Sequence, residues 1–252
     1  MVGDLILLFE KKENSLYYTL KYILFVFIFL SVSALLYYVY VRFIPSPSVP
    51  SPAFAKPRGT VILDAGHGGM DGGAVSDNGT LEKELNLQIT LMLRDLLEVS
   101  GIDVILTRDS DIMLESKSAS GTKKMRDLRA RVEIAEANPD AVFVSIHMNK
   151  FPKTSVSGLQ LYCSPNADES HTLAEMLQSG VKTYLQPDNN RPIKTADSAI
   201  YILDRIKNPA VLVECGVLSN YDDEQLLLDS EYQRKLVLVL ASSLMQFIDC
   251  NY

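Results

Sequence analysis

The chain has no tryptophan, three cysteines and three histidines among 252 residues, and its formal net charge is −7. Each scarcity excludes something. Cys163, Cys215 and Cys250 are odd in number and form no CxxC pair, which argues against a disulfide framework and against a thiolate metal site. All three are expected to be small core hydrophobes, with a Cys163–Cys215 bridge as the alternative. The acidic balance, with no stripe of Lys and Arg, excludes a nucleic-acid partner, because binding a polyanion relies on counterion release to clustered cations. With 47% apolar and 22% charged residues the chain has neither a disordered nor a fibrous bias, and it can bury one full core.

What is present first is an apolar run. Tyr22 to Val41, YILFVFIFLSVSALLYYVYV, carries no charge and is bounded by Lys21 and Arg42. Its length of about 20 residues suits a helix crossing the hydrocarbon of a membrane. Tyrosines sit at both ends, as in interfacial belts, and Lys11, Lys12 and Lys21 on the short N-terminal side favour a cytoplasmic N-terminus over the opposing vote of Arg42, Lys56 and Arg58. A secretory signal has a shorter apolar core, about 7 to 15 residues, so an uncleaved anchor is the preferred reading, although Ala53-Phe54-Ala55 offers a cleavage site. Pro45 to Pro57, PSPSVPSPAFAKP, favours extended polyproline geometry and reads as a spacer. The expected organisation is a cytoplasmic N-terminus over 1–21, a membrane anchor over 22–42, a linker over 43–58 and one extracytoplasmic domain over 59–252.

After the spacer, short apolar runs alternate with helical patterns. That is the signature of an α/β domain, a single mostly parallel or mixed twisted sheet with helices on both faces. TVILDA (Thr60 to Ala65) reads as a buried strand. Glu84 to Ser100 reads as a helix capped by Gly101. Asp103–Thr107, Ala141–Ile146, Gly158–Tyr162, Ala199–Leu203 and Ala210–Glu214 are the further expected strands. Met125–Ala137, Glu169–Leu185 and Glu231–Asp249 are the further helices.

Three of these strands end in or just before a residue that can bind metal or move protons, and open α/β sheets place their sites at the carboxyl ends of strands. His67 follows the first strand within DAGHGGMDGGA (Asp64 to Ala74), His147 ends AVFVSI, and Glu214 ends AVLVE. The glycines around His67 permit positive φ and close approach of a ligand. A catalytic zinc commonly takes three ligands from His and Glu or Asp and keeps a fourth position open. Glu82, in LEKELNL, is either the third ligand or an acid placed to favour a helix start.

With these motifs in order, the chain resembles the zinc-dependent N-acetylmuramoyl-L-alanine amidases of the amidase 3 type. The resemblance rests on Asp64 with Gly66–Gly69, on Glu82-Lys83, on Thr107-Arg108, on SIHxN (Ser145 to Asn149) and on VExGxLSN (Val213 to Asn220). It implies that His67, Glu82 and His147 bind Zn2+, that Glu214 is the catalytic glutamate, and that the bond cut joins N-acetylmuramic acid to L-alanine in peptidoglycan. Ala65 departs from the family's usual proline, Met148 and Lys150 from smaller residues, and Glu136 from asparagine. Asn149, Arg108 and Arg131 are accordingly binding or structural residues.

NKFPKTSVSGLQLY (Asn149 to Tyr162), with the single anchor and no wall-binding repeats, is most similar to the spore-cortex subgroup, whose activity opens the route to muramic-δ-lactam and so serves germination. Two other readings are weighed: a zinc peptidase cutting within the stem peptide, and an inactive wall-binding scaffold. The resemblance favours the amidase over the peptidase, and the scaffold is disfavoured because all four site residues are present. His171 is expected at the surface, and Asp222–Glu224 as the solvated first turn of a short helix without chemical role. No long helix between Thr107 and Met125 is available to plug the site, so control by an unidentified protein partner or by timed expression is expected.

Overall fold

The computed structural model describes residues 20–38, 58–118 and 120–251. The chain divides into two units, at residues 1–54 and 55–252. In the first, helix α1 (Leu20–Tyr38) is long and apolar enough to cross a membrane. It begins two residues before the expected anchor. The rest of that segment, the N-terminal residues 1–19 and the linker up to 57 lie outside the described residues.

The second unit is a mixed α/β domain built on one six-stranded sheet in the order β2-β1-β3-β6-β4-β5. The strands are β1 (Thr60–Ala65), β2 (Asp103–Leu106), β3 (Val142–Asn149), β4 (Gln160–Cys163), β5 (Lys194–Thr195) and β6 (Ala210–Val217). All pairings are parallel except β4 with β6. The helices are α2 (Glu82–Val99), α3 (Lys123–Glu136), α4 (Glu169–Tyr184), α5 (Tyr221–Leu228) and α6 (Ser230–Asn251).

Alternation along the strands divides the core in two. Val61, Leu63, Val142, Val144, Ile146, Val211 and Val213 pack with α2, α4 and α6. Ile62, Phe143, Ala210 and Leu212 pack on the opposite side with Val132 and Ala135 of α3. Because both faces of the central strands are covered, those strands read as continuous apolar runs in the sequence. The domain begins at the N-terminal edge of the sheet, where Arg58 N–H donates to Gly101 O at 3.2 Å and its guanidinium pairs with Asp249 of α6.

Three expectations need correction. Ala199–Leu203 is not a strand: Ile206 N–H donates to Ile202 O at 3.1 Å in a turn, and Ile202, Leu203 and Ile206 bury themselves against Phe143 and Leu212. The edge strand is the short exposed β5 instead. Cys250 is exposed in the last turn of α6, while Cys163 and Cys215 are buried thiols with no bridge between them. Of the acidic run, only Asp222 is solvated. Asp223 is buried and accepts from Gly158 N–H at 2.7 Å and Val217 N–H at 2.9 Å, and Glu224 accepts from Asn78 and Thr80, both at 2.7 Å.

Candidate active site

The loop after β1 is shaped by buried cations. Arg131 of α3 is 1% exposed. Its Nη1 donates to Ala65 O at 2.8 Å and also pairs with Asp64, its Nη2 donates to His67 O at 2.7 Å, and its Nε donates to Asp127 at 2.9 Å. Asp64 accepts further bonds from Thr107 Oγ1 at 2.8 Å and Ser145 Oγ at 2.6 Å. Burial alone would raise the Asp64 carboxyl, but the Arg131 charge and these hydroxyls hold it below its ordinary value. Arg108 donates to Ala65 O at 2.8 Å, to Gly66 O at 3.0 Å and to Lys83 O at 2.8 Å, which ties the loop to the start of α2. Arg108 and Arg131 are thus loop-holding residues.

That clamp sets His67 in the left-handed region at φ 60, the only such non-glycine among the described residues. Its ring Nδ1 lies 3.0 Å from Asp71 Oδ2, which leaves Nε2 facing Glu82 Oε1 at 3.2 Å. Glu82 is the first residue of α2, so the helix begins two residues earlier than expected. Its Oε1 also receives His147 Nδ1 at 2.8 Å and Met148 N–H at 3.1 Å, and its Oε2 accepts Ala74 N–H at 2.7 Å. Burial pushes the Glu82 carboxyl up, but the hydrogen bonds and charges of His147 and His67 outweigh it and hold it well below the carboxylate range. Burial likewise opposes protonation of His67, yet Glu82 and Asp71 raise its pKa.

One ligand atom from each of His67, Glu82 and His147 lies within 4.8 Å of the other two. The imidazoles meet edge to face with centroids 4.9 Å apart. Glycine is required where the loop crosses them: a Cβ on Gly66 would lie 2.2 Å from His147 Nε2, and one on Gly73 would lie 2.5 Å from Glu82 Oε2. Two imidazoles and a carboxylate are the ligand chemistry of a catalytic metal site, and an outer carboxylate on a ligating histidine, as Asp71 stands to His67, is its usual accompaniment.

β3 and β6 run past the expected ends, to Asn149 and Val217, so His147 and Glu214 lie inside the strands and are direct register partners. Partners in register project from the same face, which puts Glu214 beside the His67–Glu82–His147 group. Its Oε2 is buried with no hydrogen-bond partner among the described residues. Burial, with the Glu82 charge adding to it, pushes this carboxyl up to about 7, against the lowering pull of His147, His67 and Arg191. A carboxyl poised there can both take and return a proton near neutral pH.

The remaining residues fall elsewhere. Asn149 is half-buried beyond His147, and its Oδ1 accepts only Lys150 N–H at 2.8 Å among the described residues. Lys150 is exposed and donates to Val75 O at 2.5 Å. Glu136 is exposed at the end of α3, and His171 is exposed in the first turn of α4, 3.6 Å from Glu175. No helix occurs among the described residues between Thr107 and Thr122. The sequence reading assigns no role to Asp71; its position four residues after His67, with glycine before and after the pair, is the signal that marks it.

A mixed, mostly parallel sheet that brings His67, Glu82 and His147 together at its carboxyl edge beside the buried Glu214 defines an α/β protein with a candidate metal site. Residues 61–246 match the family model of the N-acetylmuramoyl-L-alanine amidases, and the chain belongs to that family. It is 32% identical over 189 residues to the germination-specific N-acetylmuramoyl-L-alanine amidase of Bacillus subtilis, covering 74% of this chain and 78% of that one. Among solved structures it resembles the CwlD amidase of Clostridioides difficile in complex with the GerS lipoprotein: TM-score 0.72, 38% identity, 77% of this chain and 100% of that one. It also resembles the amidase AmiC2 of Nostoc punctiforme: TM-score 0.65, 32% identity, 75% of this chain and 97% of that one.

Proposed function

We propose that this peptidoglycan amidase is zinc-dependent, with His67, Glu82 and His147 as ligands and Glu214 as the proton carrier. The observation that carries the reading is the convergence of three donors within 4.8 Å beside a carboxyl raised to about 7. A zinc ion held there supplies Lewis acidity toward the scissile carbonyl and acidifies water. Glu214, its Oε2 free of other partners, accepts the proton of the attacking water and delivers it to the departing amine of L-alanine. Asp71 fixes the His67 tautomer so that Nε2 serves as ligand. The product pair is an intact glycan strand with a free lactyl carboxyl and a whole stem peptide.

The domain layout belongs to the same proposal: α1, which overlaps the anchor 22–42, tethers domain 59–252 outside the cytoplasmic membrane through the linker 43–58. Tethering confines the enzyme near the wall. Similarity to a germination-specific amidase supports a role in spore-cortex maturation, as the first step toward muramic-δ-lactam. A relative solved with a lipoprotein supports control by a protein partner.

The test is mass spectrometry of peptidoglycan incubated with the zinc-loaded full chain in detergent, beside Glu214→Gln. Whole stem peptides from the first protein alone are expected. Amino acids or shortened stems would replace this reading with a zinc peptidase.

A further inference from the structure

A row of side chains crosses the α3 side of the sheet at its carboxyl edge. His147 on β3 is the register partner of Glu214 on β6, and Glu214 is in turn the register partner of Gln160 on β4. The proposed chemistry uses the first two and leaves Gln160 without a role. Gln160 is 2% exposed. Its amide nitrogen donates to Pro192 O, which turns its Oε1 to accept from Arg191 Nε at 2.9 Å.

Arg191 is half-buried, and its guanidinium lies over the Phe151 ring, 5.2 Å from the centroid. Its Nη1 makes only long contacts, 3.5 Å, with the carbonyls of Ser157 and Gly158. No hydrogen bond leaves Nη2, and no carboxylate lies within ion-pairing distance of Arg191, among the described residues. Two acids feel its charge without pairing with it: Asp223, already taken by the N–H groups of Gly158 and Val217, and Glu214, which the proposed chemistry uses. The result is an oriented cation, stacked and hydrogen-bonded on one edge and unpaired on the other, at the end of the row that begins with the metal group. A guanidinium fork so held matches a carboxylate.

We propose that Arg191, oriented by Gln160 and Phe151, binds a free carboxylate of the stem peptide and selects acidic stems over amidated ones. The proposal rests on the amidase reading. β3 and β4 stand two strand spacings apart, about 10 Å, which an extended peptide covers in about three residues. The carboxylate therefore belongs to one of the first three residues after the scissile amide.

The experiment uses the zinc-loaded full chain in detergent and synthetic N-acetylmuramoyl tripeptides. One substrate carries free carboxyls on its second and third residues, and two others have one of those carboxyls converted to a carboxamide. One amidation is expected to lower kcat/KM of the unaltered protein about tenfold, mainly through KM, as loss of a charge-assisted bond at a half-exposed site implies. Arg191→Gln should lose the same factor on the acidic substrate and stop discriminating, with zinc content unchanged, and Arg191→Lys should keep part of the preference. Equal turnover of acid and amide by the unaltered protein would overturn the proposal. So would undiminished discrimination by Arg191→Gln, or an equal loss on all three substrates. Should Arg191→Gln fail to fold, Phe151→Ala removes only the stack and must weaken the preference; an unchanged preference would sink the idea. If the unaltered protein, loaded with zinc, cuts none of the three, the amidase reading falls together with this one.

Discussion

Replacing Glu214 with Gln is expected to stabilise the fold above neutral pH. In the folded chain burial, reinforced by Glu82, raises this carboxyl from 4.5 to about 7. The folded state therefore keeps a proton that the unfolded chain releases, and stability falls as pH climbs from the unfolded value to the folded one. That gap, at ~1.36 kcal/mol per pH unit, amounts to ~3 kcal/mol of destabilisation above pH 7 and none below the unfolded value. Glutamine matches the protonated acid in shape and does not ionise, so it escapes the loss. Its amide stands where Oε2 has no partner, which costs ~1 kcal/mol at every pH. The net gain is ~2 kcal/mol near pH 8, or about 4 to 8 °C in Tm for a domain of this size. Near pH 4 the variant is slightly less stable than the parent. Circular-dichroism melts of both proteins in chelator at the two pH values measure the difference directly. A Tm difference that does not change with pH would refute the argument, because it would mean that Glu214 is not held protonated by the fold.

Other perturbations test the surrounding shell. Asp71→Asn removes the charge on the Nδ1 side of His67 and is expected to weaken zinc affinity about 10- to 100-fold, read by competition with a chromogenic chelator. Arg131→Met leaves Asp64 and Asp127 buried without their cation and should cost about 3 to 5 kcal/mol, seen as a lower midpoint in denaturant melts. Gly66→Ala drives a methyl into His147, which must move by about an ångström; amide release should fall about 10²-fold in a stopped assay while the domain stays folded.

Much of the site was legible because it is written on strands. β1, β3 and β6 are apolar on both faces, so they announce themselves, and a His or Glu at or just beyond the end of such a run is conspicuous against three histidines in all. The register that makes His147 and Glu214 neighbours was not legible, since each strand continues beyond its apolar run. The reading also failed at 199–203, where apolar residues covered the α3 side of the sheet as a turn, a use that periodicity does not distinguish from a short strand.

Charges were the harder part. Arg131, Asp64, Asp223 and Glu224 would ordinarily read as solvent-facing, yet all four are buried with partners distant in sequence. Arg131 shows why such a charge is kept. Holding a non-glycine residue in the left-handed region costs on the order of 1 to 3 kcal/mol. A charged donor on the His67 carbonyl at 2.7 Å contributes about 1.5 to 3 kcal/mol, enough to offset that strain. The same guanidinium satisfies Asp64 and the Ala65 carbonyl, so the residues just before His67 cannot relax without breaking several bonds together. The His67 ring is thus aimed by the fold itself, through α3, toward Glu82 and His147.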